Sequence, residues 1–444
     1  MRRPQTPPNI ADLIPAKPQR LPEIIAACGE GSDWKHYLHW DDMRRRKPPE
    51  GLTRKEWWFG TKLLRKSQAN YIALQDTNEN NFYYVSSNSV QKMQRDADLM
   101  AGGQIQVPDA ITNPQTRDRY YISSLMEEAI TSSQLEGAAV TRQVAKEMLR
   151  TNRAPRHTHE KMILNNYATM RALEEFKNRP LTKDLIFEIH RLITEDTLDD
   201  PKSAGRLRNS DEHIHVADEL TGEIAHIPPE AEQLPQRMKN LCEFANETST
   251  NTFVHPVVRA IILHFWLAYD HPFIDGNGRT ARAIFYWSML RSGYWLFEFV
   301  SISTILHKAQ AKYARAFLLT ETDDNDLTHF IHYNLLVIQR GIDQLFDYVR
   351  RQTEEIHSLE RKLGSLDALN RRQKELISHA LRHAYENYTY LSHKESHGIS
   401  RQTARTDILG LVALGLLGSG KEGRQRYFTP VEDLEAKLSG LKSR

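Results

Sequence analysis

Residues 271–282 read HPFIDGNGRTAR and gather, within twelve positions, side chains whose chemistry exceeds packing. His271 opens the stretch and Pro272 fixes the backbone that presents it. An imidazole with a reference pKa of about 6.5 is largely neutral at neutral pH and can take a proton from a hydroxyl. Gly276 and Gly278 flank Asn277; both tolerate positive φ and close ligand approach, so successive N–H groups can form an anion nest where the next helix begins. Phosphate is the expected guest. Arg279 and Arg282 are three apart, hence on one helix face, and can add charge-assisted contacts to its oxygens. Asp275 would repel a polyphosphate unless a divalent cation lay between them, which implies Mg2+. The plain alternative is a Gly-Asn-Gly turn joining two helices, with His271 a core histidine.

The flanking elements must hold this loop. Pro256 suits the first turn of an apolar helix through VVRAIILHFWLAYD, and RAIFYWSMLRSG continues as another buried helix stopped near Gly293. Helical spacing also marks EKMILNNYATMRALEEF and KDLIFEIHRLITEDTL. Residues 205–229 break it: Ile214 and Val216 alternate with polar residues, Leu220-Thr221-Gly222 offers a turn, and Pro228-Pro229 closes the stretch, predicting a two-stranded flap.

The loop resembles the HxFx(D/E)GNGRxxR signature of Fic-domain proteins, with His271, Phe273, Asp275, Gly276, Asn277, Gly278, Arg279 and Arg282 at all its specified positions. His264, the flap at 213–227 and Lys312-Tyr313 extend the resemblance over residues 115 to 350. It implies a helical core with a β-hairpin flap, and transfer of AMP from ATP to a Ser, Thr or Tyr hydroxyl of a protein target or of the chain itself. By resemblance, His271 is the base and Asp275 holds Mg2+ between the α- and β-phosphates. Gly276, Gly278 and the Asn277 side chain cradle phosphates, Arg279 clamps them, and Arg282 fixes the γ-phosphate. The flap, with Ile214, His215 and Val216, would position the target. Other family members transfer phosphate, UMP or phosphocholine; the unchanged Gly278 favours adenylylation. No GxxxxGK(S/T) sequence competes for nucleotide.

EEAITSSQLEG, residues 127–137, reads as a helix stopped by Gly137. SSQLEG also resembles the family's (S/T)xxxE(G/N) inhibitory motif, matched by Ser132, Glu136 and Gly137. A carboxylate delivered into an anion site can pair with Arg282 and displace the γ-phosphate's partner. The expectation is an autoinhibited enzyme; a bifunctional one that also removes AMP through Glu136 stays open.

The chain has 444 residues, with 59 Lys+Arg against 57 Asp+Glu, which excludes a uniformly basic nucleic-acid coat. Cys28 and Cys242 stand far apart, so neither a disulfide framework nor a thiolate zinc site is readable, and a reducing, cytoplasmic setting is expected. No apolar run suits a membrane span or a secretory signal. The chain is expected to be mainly α: a flexible arm at 1–33, a small accessory domain at 34–114 rich in basic and aromatic residues, a catalytic core at 115–363, a module at 370–430, and a tail at 431–444.

That module reads as a winged helix-turn-helix. Ser400 can cap a helix with Ala404, Ile408, Leu411 and Val412 on its apolar face and Arg401, Gln402 and Arg405 outward. A glycine-rich hairpin then presents Lys421, Arg424 and Arg426. From Arg371 to Arg444 there are 13 Lys+Arg against 8 Asp+Glu, which admits DNA as a partner; contact with protein, including a second copy in a homodimer, is the alternative. The competing functional reading is a DNA-binding regulator whose core senses nucleotide. His213, His215 and His226 share a hairpin without implying zinc, and TETDDNDL lacks calcium-loop spacing.

Overall fold

A computed structural model describes the chain except residues 1–2, 16, 32–36, 104–107, 218–221, 248–252, 365, 367, 385, 423–424 and 441–444. The fold is mainly α, with three two-stranded antiparallel sheets among the described residues. It forms two compact units, one of residues 1–104 and 125–342 and the other of 105–124 and 343–444. The helices needed below are α1 (Leu21–Gly31), α2 (Arg54–Ser67), α3 (Pro114–Leu135), α4 (Thr158–Phe176), α5 (Lys183–Thr194), α6 (Pro256–Asp270), α7 (Asn277–Arg291), α8 (Gln310–Glu321) and α9 (Thr328–Gly364). The strands of this first unit are β1 (Ala69–Gln75), β2 (Asn81–Val85), β3 (Val216–Ala217) and β4 (Ile224–His226).

The larger unit is built around α6 and α7, each buried at 13 of its 15 positions. A helix apolar nearly all round must sit inside a bundle. Phe265, Trp266, Tyr286 and Trp287 fill that centre, and burying each such ring stabilises the fold by about 1.5–3 kcal/mol. α4 and α5 pack against α7 and against each other.

Several boundaries differ from the sequence expectation. Residues 1–33 were expected to be a flexible arm, yet they carry short helical turns and α1, with Leu13, Ile24 and Cys28 buried against Trp57, Trp58 and Phe59 of α2. The close crossing requires Gly60: a Cβ there would stand 2.6 Å from Cys28 Sγ and 2.7 Å from Ile24 Cγ2. Some basic and aromatic residues of 34–114 are likewise spent internally. Tyr37, Trp58, Lys62 and Arg65 are buried, and residues up to 104 cluster with the helical core instead of forming a separate domain. Lys62 Nζ lies 2.5 Å from Asp323 Oδ1, 3.0 Å from the Asp323 carbonyl and 3.8 Å from Asp326 Oδ2. Asp323, Asp326 and His329 are close enough together to hold a metal ion, but the ammonium of Lys62 already supplies the cation there.

The smaller unit adds α10 (Arg371–Arg382), α11 (Tyr390–His397), α12 (Arg401–Ala413), β5 (Leu417–Glu422), β6 (Gln425–Pro430) and α13 (Leu434–Gly440). α11 ends at Gly398, left-handed at φ +60, and α12 begins under a Ser400 cap whose Oγ accepts from Thr403 N–H at 3.1 Å. Its core includes Leu376, Ile377, Ile408, Leu411, Phe428 and Leu434. Leu434 and Leu438 of α13 are buried there, so residues 434–440 of the expected tail belong to this core. Asp407 is buried on the inner face of α12 and accepts from Arg372 Nε at 2.7 Å, Asn370 Nδ2 at 2.7 Å and His393 Nε2 at 3.2 Å. Burial disfavours its charge, but these donors outweigh burial and hold the carboxyl below its ordinary pKa. This ties α12 to α10 and α11.

Candidate active site

His271 caps the C-terminus of α6 in the left-handed region, φ +46, with its N–H bonded to Leu267 O at 3.0 Å. A non-glycine residue at positive φ is uncommon, and here it turns the chain out of the core helix. Imidazole Nδ1 lies 3.2 Å from Ala268 O; a carbonyl can only accept, so Nδ1 carries the proton and Nε2 keeps its lone pair. Burial, only partly offset by the Ala268 carbonyl and the Glu136 carboxylate, holds His271 below 6.5. Its neighbours fix it. Asp270 accepts from Arg237 Nη2 at 2.6 Å and Trp266 Nε1 at 3.0 Å, and Arg208 Nε donates to His271 O at 3.1 Å.

The loop is held from below by α5. The Phe273 ring stacks on His190, centroids 3.8 Å apart. Gly205 N–H donates to His190 Nδ1 at 2.9 Å, so Nε2 bears the hydrogen given to Asp275 O at 2.9 Å. Burial lowers the His190 pKa to about 4, keeping it neutral. At Gly276, φ +79, a Cβ would meet Thr194 Cγ2 at 2.8 Å. Its N–H is taken by Asp275 Oδ1 at 2.6 Å. The first helical bond of α7 is Thr280 N–H to Gly276 O, leaving the N–H groups of 277–279 ahead of it as the nest.

One expected role does not match the geometry. Asn277 was expected to offer its side chain to phosphates; instead Oδ1 accepts from Phe273 N–H at 2.9 Å and Nδ2 donates to Phe273 O at 2.7 Å. A buried amide gains more by closing its own loop than by waiting for a ligand. Arg279 is also buried, donating to Ile193 O at 3.1 Å and approaching Asp275 Oδ2 at 3.5 Å. Asp275 itself is 53% exposed.

Arg282 is turned toward α3. Its Nε donates to Ser132 Oγ at 2.8 Å, and Nη2 donates to Ser132 O and Glu136 Oε1, both at 2.9 Å. Burial opposes the guanidinium charge, but Glu136 outweighs it and raises the Arg282 pKa. α3 ends at Leu135, and Ala138 N–H bonds back to Ser133 O at 3.0 Å around Gly137 at φ +84. This stop aims Glu136 at α7. A Cβ on Gly278 would fall 2.2 Å from Glu136 Oε1. Sequence reasoning missed Glu128, two turns back on α3. Its buried carboxylate accepts from Tyr286 OH at 2.8 Å, Ser301 Oγ at 2.9 Å, Ser303 N–H at 3.0 Å and Ser303 Oγ.

Above these groups lies a cavity of ≈ 270 Å³ whose walls include Arg3, Glu136, His271, Gly278, Arg282 and Tyr313, with the flap along one side. Tyr313 OH is 2.8 Å from His264 Nε2. In the flap, Val216 pairs with His226 and Ala217 with Ile224. Ile214 is half-buried and His215 exposed, both before β3; Leu220 and Thr221 of the expected turn lie outside the described residues. His226 latches β4, with Nδ1 2.9 Å from Glu321 Oε2 and Nε2 2.8 Å from Tyr269 O. Both ring nitrogens face acceptors, an arrangement that favours the protonated ring. Ser400, Arg401, Gln402, Arg405 and Arg426 belong to the other unit; Arg424 lies outside the described residues.

Residues 180–289, which contain α5, the flap, the loop and most of α7, match the Fic/DOC family. Protein adenylyltransferase fic-1 of Caenorhabditis elegans is 36% identical over 111 residues, 25% of this chain and 20% of that protein. Protein adenylyltransferase Fic of Nematostella vectensis is 29% identical over 167 residues, 38% of this chain and 34% of that protein. The chain thus spans a fifth to a third of these curated relatives. The crystal structure of a Fic family protein from Desulfovibrio desulfuricans G20 superposes with a TM-score of 0.51 at 19% identity, covering 79% of this chain and 98% of that one. No helix among the described residues is long and apolar enough to cross a membrane. The segment that carries this loop is thus similar to the Fic/DOC family.

Proposed function

We propose that the chain transfers AMP from ATP to a hydroxyl of a protein target, and that Glu136 restrains it. The observation that carries this reading is the convergence, around one cavity, of an Nε2 lone pair on His271, the N–H nest opening α7 and an Arg282 guanidinium occupied by Glu136. Asp275 suits Mg2+: a mostly exposed carboxylate beside the nest is the single protein oxygen such an ion takes when phosphates and water supply the rest. When bound, the ion neutralises phosphate charge.

His271 Nε2 accepts the hydroxyl proton as that oxygen bonds to the α-phosphorus; the bond from phosphorus to the bridging oxygen breaks, and pyrophosphate leaves. The nest, Arg279 and Arg282 hold the phosphates in line and stabilise their charge. The flap can align a target backbone by strand addition, which leaves target side chains weakly specified. Glu136 takes the Arg282 hydrogen bonds that a γ-phosphate needs, so ATP binds unproductively until α3 moves.

The test is labelling of protein by α-labelled ATP with Mg2+. Glu136→Gly should raise it at least about tenfold, because one charge-assisted bond at about 1.5–3 kcal/mol no longer opposes the phosphate. Adding His271→Ala should remove it. Labelling unchanged by Glu136→Gly refutes the restraint; labelling that survives His271→Ala refutes the mechanism.

A further inference from the structure

We propose that the C-terminal unit binds duplex DNA, with α12 in the major groove and the β5–β6 hairpin on the phosphate backbone. The argument rests on where this unit leaves its positive charge unneutralised. Arg371, Arg372, Arg382 and Lys437 are spent internally, on Glu375 at 2.8 Å, Asp407 at 2.7 Å, Glu360 at 2.8 Å and Asp433 at 3.0 Å. Lys394 on α11, Arg401 and Arg405 on α12, and Lys421 and Arg426 on the hairpin are exposed, and none forms an ion pair among the described residues. Five cations left without counter-ions on consecutive elements form a surface complementary to a polyanion.

The shape selects duplex DNA among polyanions. α11 and α12 are joined by the short turn Gly398-Ile399-Ser400, and α12 buries Ala404, Asp407, Ile408 and Leu411. Arg401, Gln402 and Arg405 therefore share the opposite face, where a protruding helix fits the width of a B-form major groove. The deep, narrow major groove of A-form RNA would not admit it. The bonds to Asp407 from α10 and α11 hold the reading helix from behind. Lys421 pairs directly with Arg426 across the hairpin, so both side chains project from one face. Phosphate contacts of that kind position the protein, while Arg and Gln on the helix can bond guanine and adenine edges.

The test uses the full chain and a short fluorescent duplex of mixed sequence, titrated by anisotropy across a salt series. Binding should weaken linearly in log–log form, with a slope of about −0.9 for each phosphate contact. The pair Lys421→Ala and Arg426→Ala should reduce that slope by about two. The pair Arg401→Ala and Arg405→Ala should weaken binding at least about tenfold and erase preferences in a selection from random duplexes. All four positions are exposed, so melting curves of the variants should match the parent and exclude misfolding. The proposal is overturned if the parent chain fails to bind at low salt, or if both pairs keep its affinity and slope. It is equally overturned if these substitutions only dissociate a homodimer. Nucleotide labelling does not enter, so this surface can fail while the catalytic reading stands.

Discussion

At the scale of single residues, the site is governed by which lone pairs and protons are already committed. His271 keeps Nε2 available because the Ala268 carbonyl fixes the hydrogen on Nδ1. Its pKa lies below 6.5 because burial penalises the imidazolium, while the nearby Glu136 carboxylate acts in the opposite direction. A lowered pKa leaves the proposed base competent until the pH falls below its ordinary range. The acid limb of the rate profile for labelling should therefore lie below 6.5, and Glu136→Gly should move it lower still, since it removes a charge that favours protonation. A limb above 6.5 in that variant would mean that another group titrates. His190, although stacked under the loop, is neutral by burial and holds Asp275 in place without moving protons.

At the scale of elements, Glu128 helps to hold α3 and the half-buried His226 helps to hold the flap. Glu128 fastens α3 through donors from Tyr286, Ser301 and Ser303. Glu128→Ala strands these donors at about 1–3 kcal/mol and frees the segment carrying Ser132 and Glu136. It should raise nucleotide labelling while lowering the melting temperature; a change in melting alone would separate Glu128 from the restraint. For the flap, burial opposes the His226 charge, but Glu321 and the Tyr269 carbonyl outweigh it, raising its pKa above 6.5. Asp270 acts in the same direction. The sign follows from linkage: stabilisation by a raised histidine is complete below its unfolded pKa and lost as pH rises through the folded one. Hydrogen exchange at β4, corrected for intrinsic rates, should accelerate through that window, and His226→Gln should make it nearly pH-independent.

At the scale of the molecule, α2 is fastened to the turn between α8 and α9 by buried charge. Lys62 and Asp323 are 1% and 0% exposed, with Arg65 and His329 also on the same carboxylate. Burial alone would raise the Asp323 pKa, yet Lys62 and His329 hold it well below the usual carboxylate range. Lys62→Met fills the volume but strands the carboxylate, at a cost of about 3–5 kcal/mol. Urea unfolding should show its first transition at lower denaturant; an unchanged midpoint would mean that His329 and Arg65 suffice. The same network explains why residues 34–104 never separate into their own domain: their aromatic and basic side chains have partners that arise from Asp323 to His329.

The candidate site in the loop was legible because it is contiguous: histidine, carboxylate, glycines and arginines stand within twelve residues, and local backbone preference places them at a helix start. The mainly helical fold was legible for a related reason, since the i, i+3, i+4 apolar spacing of α4 and α5 marks helices with one buried face. What the sequence could not express were contacts across long separations. Glu128 and Tyr286 are 158 residues apart, and His190 and Asp275 are 85 apart. The fate of Asn277 was equally hidden, because its amide chooses between phosphate and backbone only once the loop has closed. An N-terminal segment rich in proline and charge looked unable to pay for order, until Ile24 and Cys28 found the groove over Gly60. Residue type and spacing determined what the loop can do; tertiary packing decided which polar groups are already satisfied and which remain for a substrate.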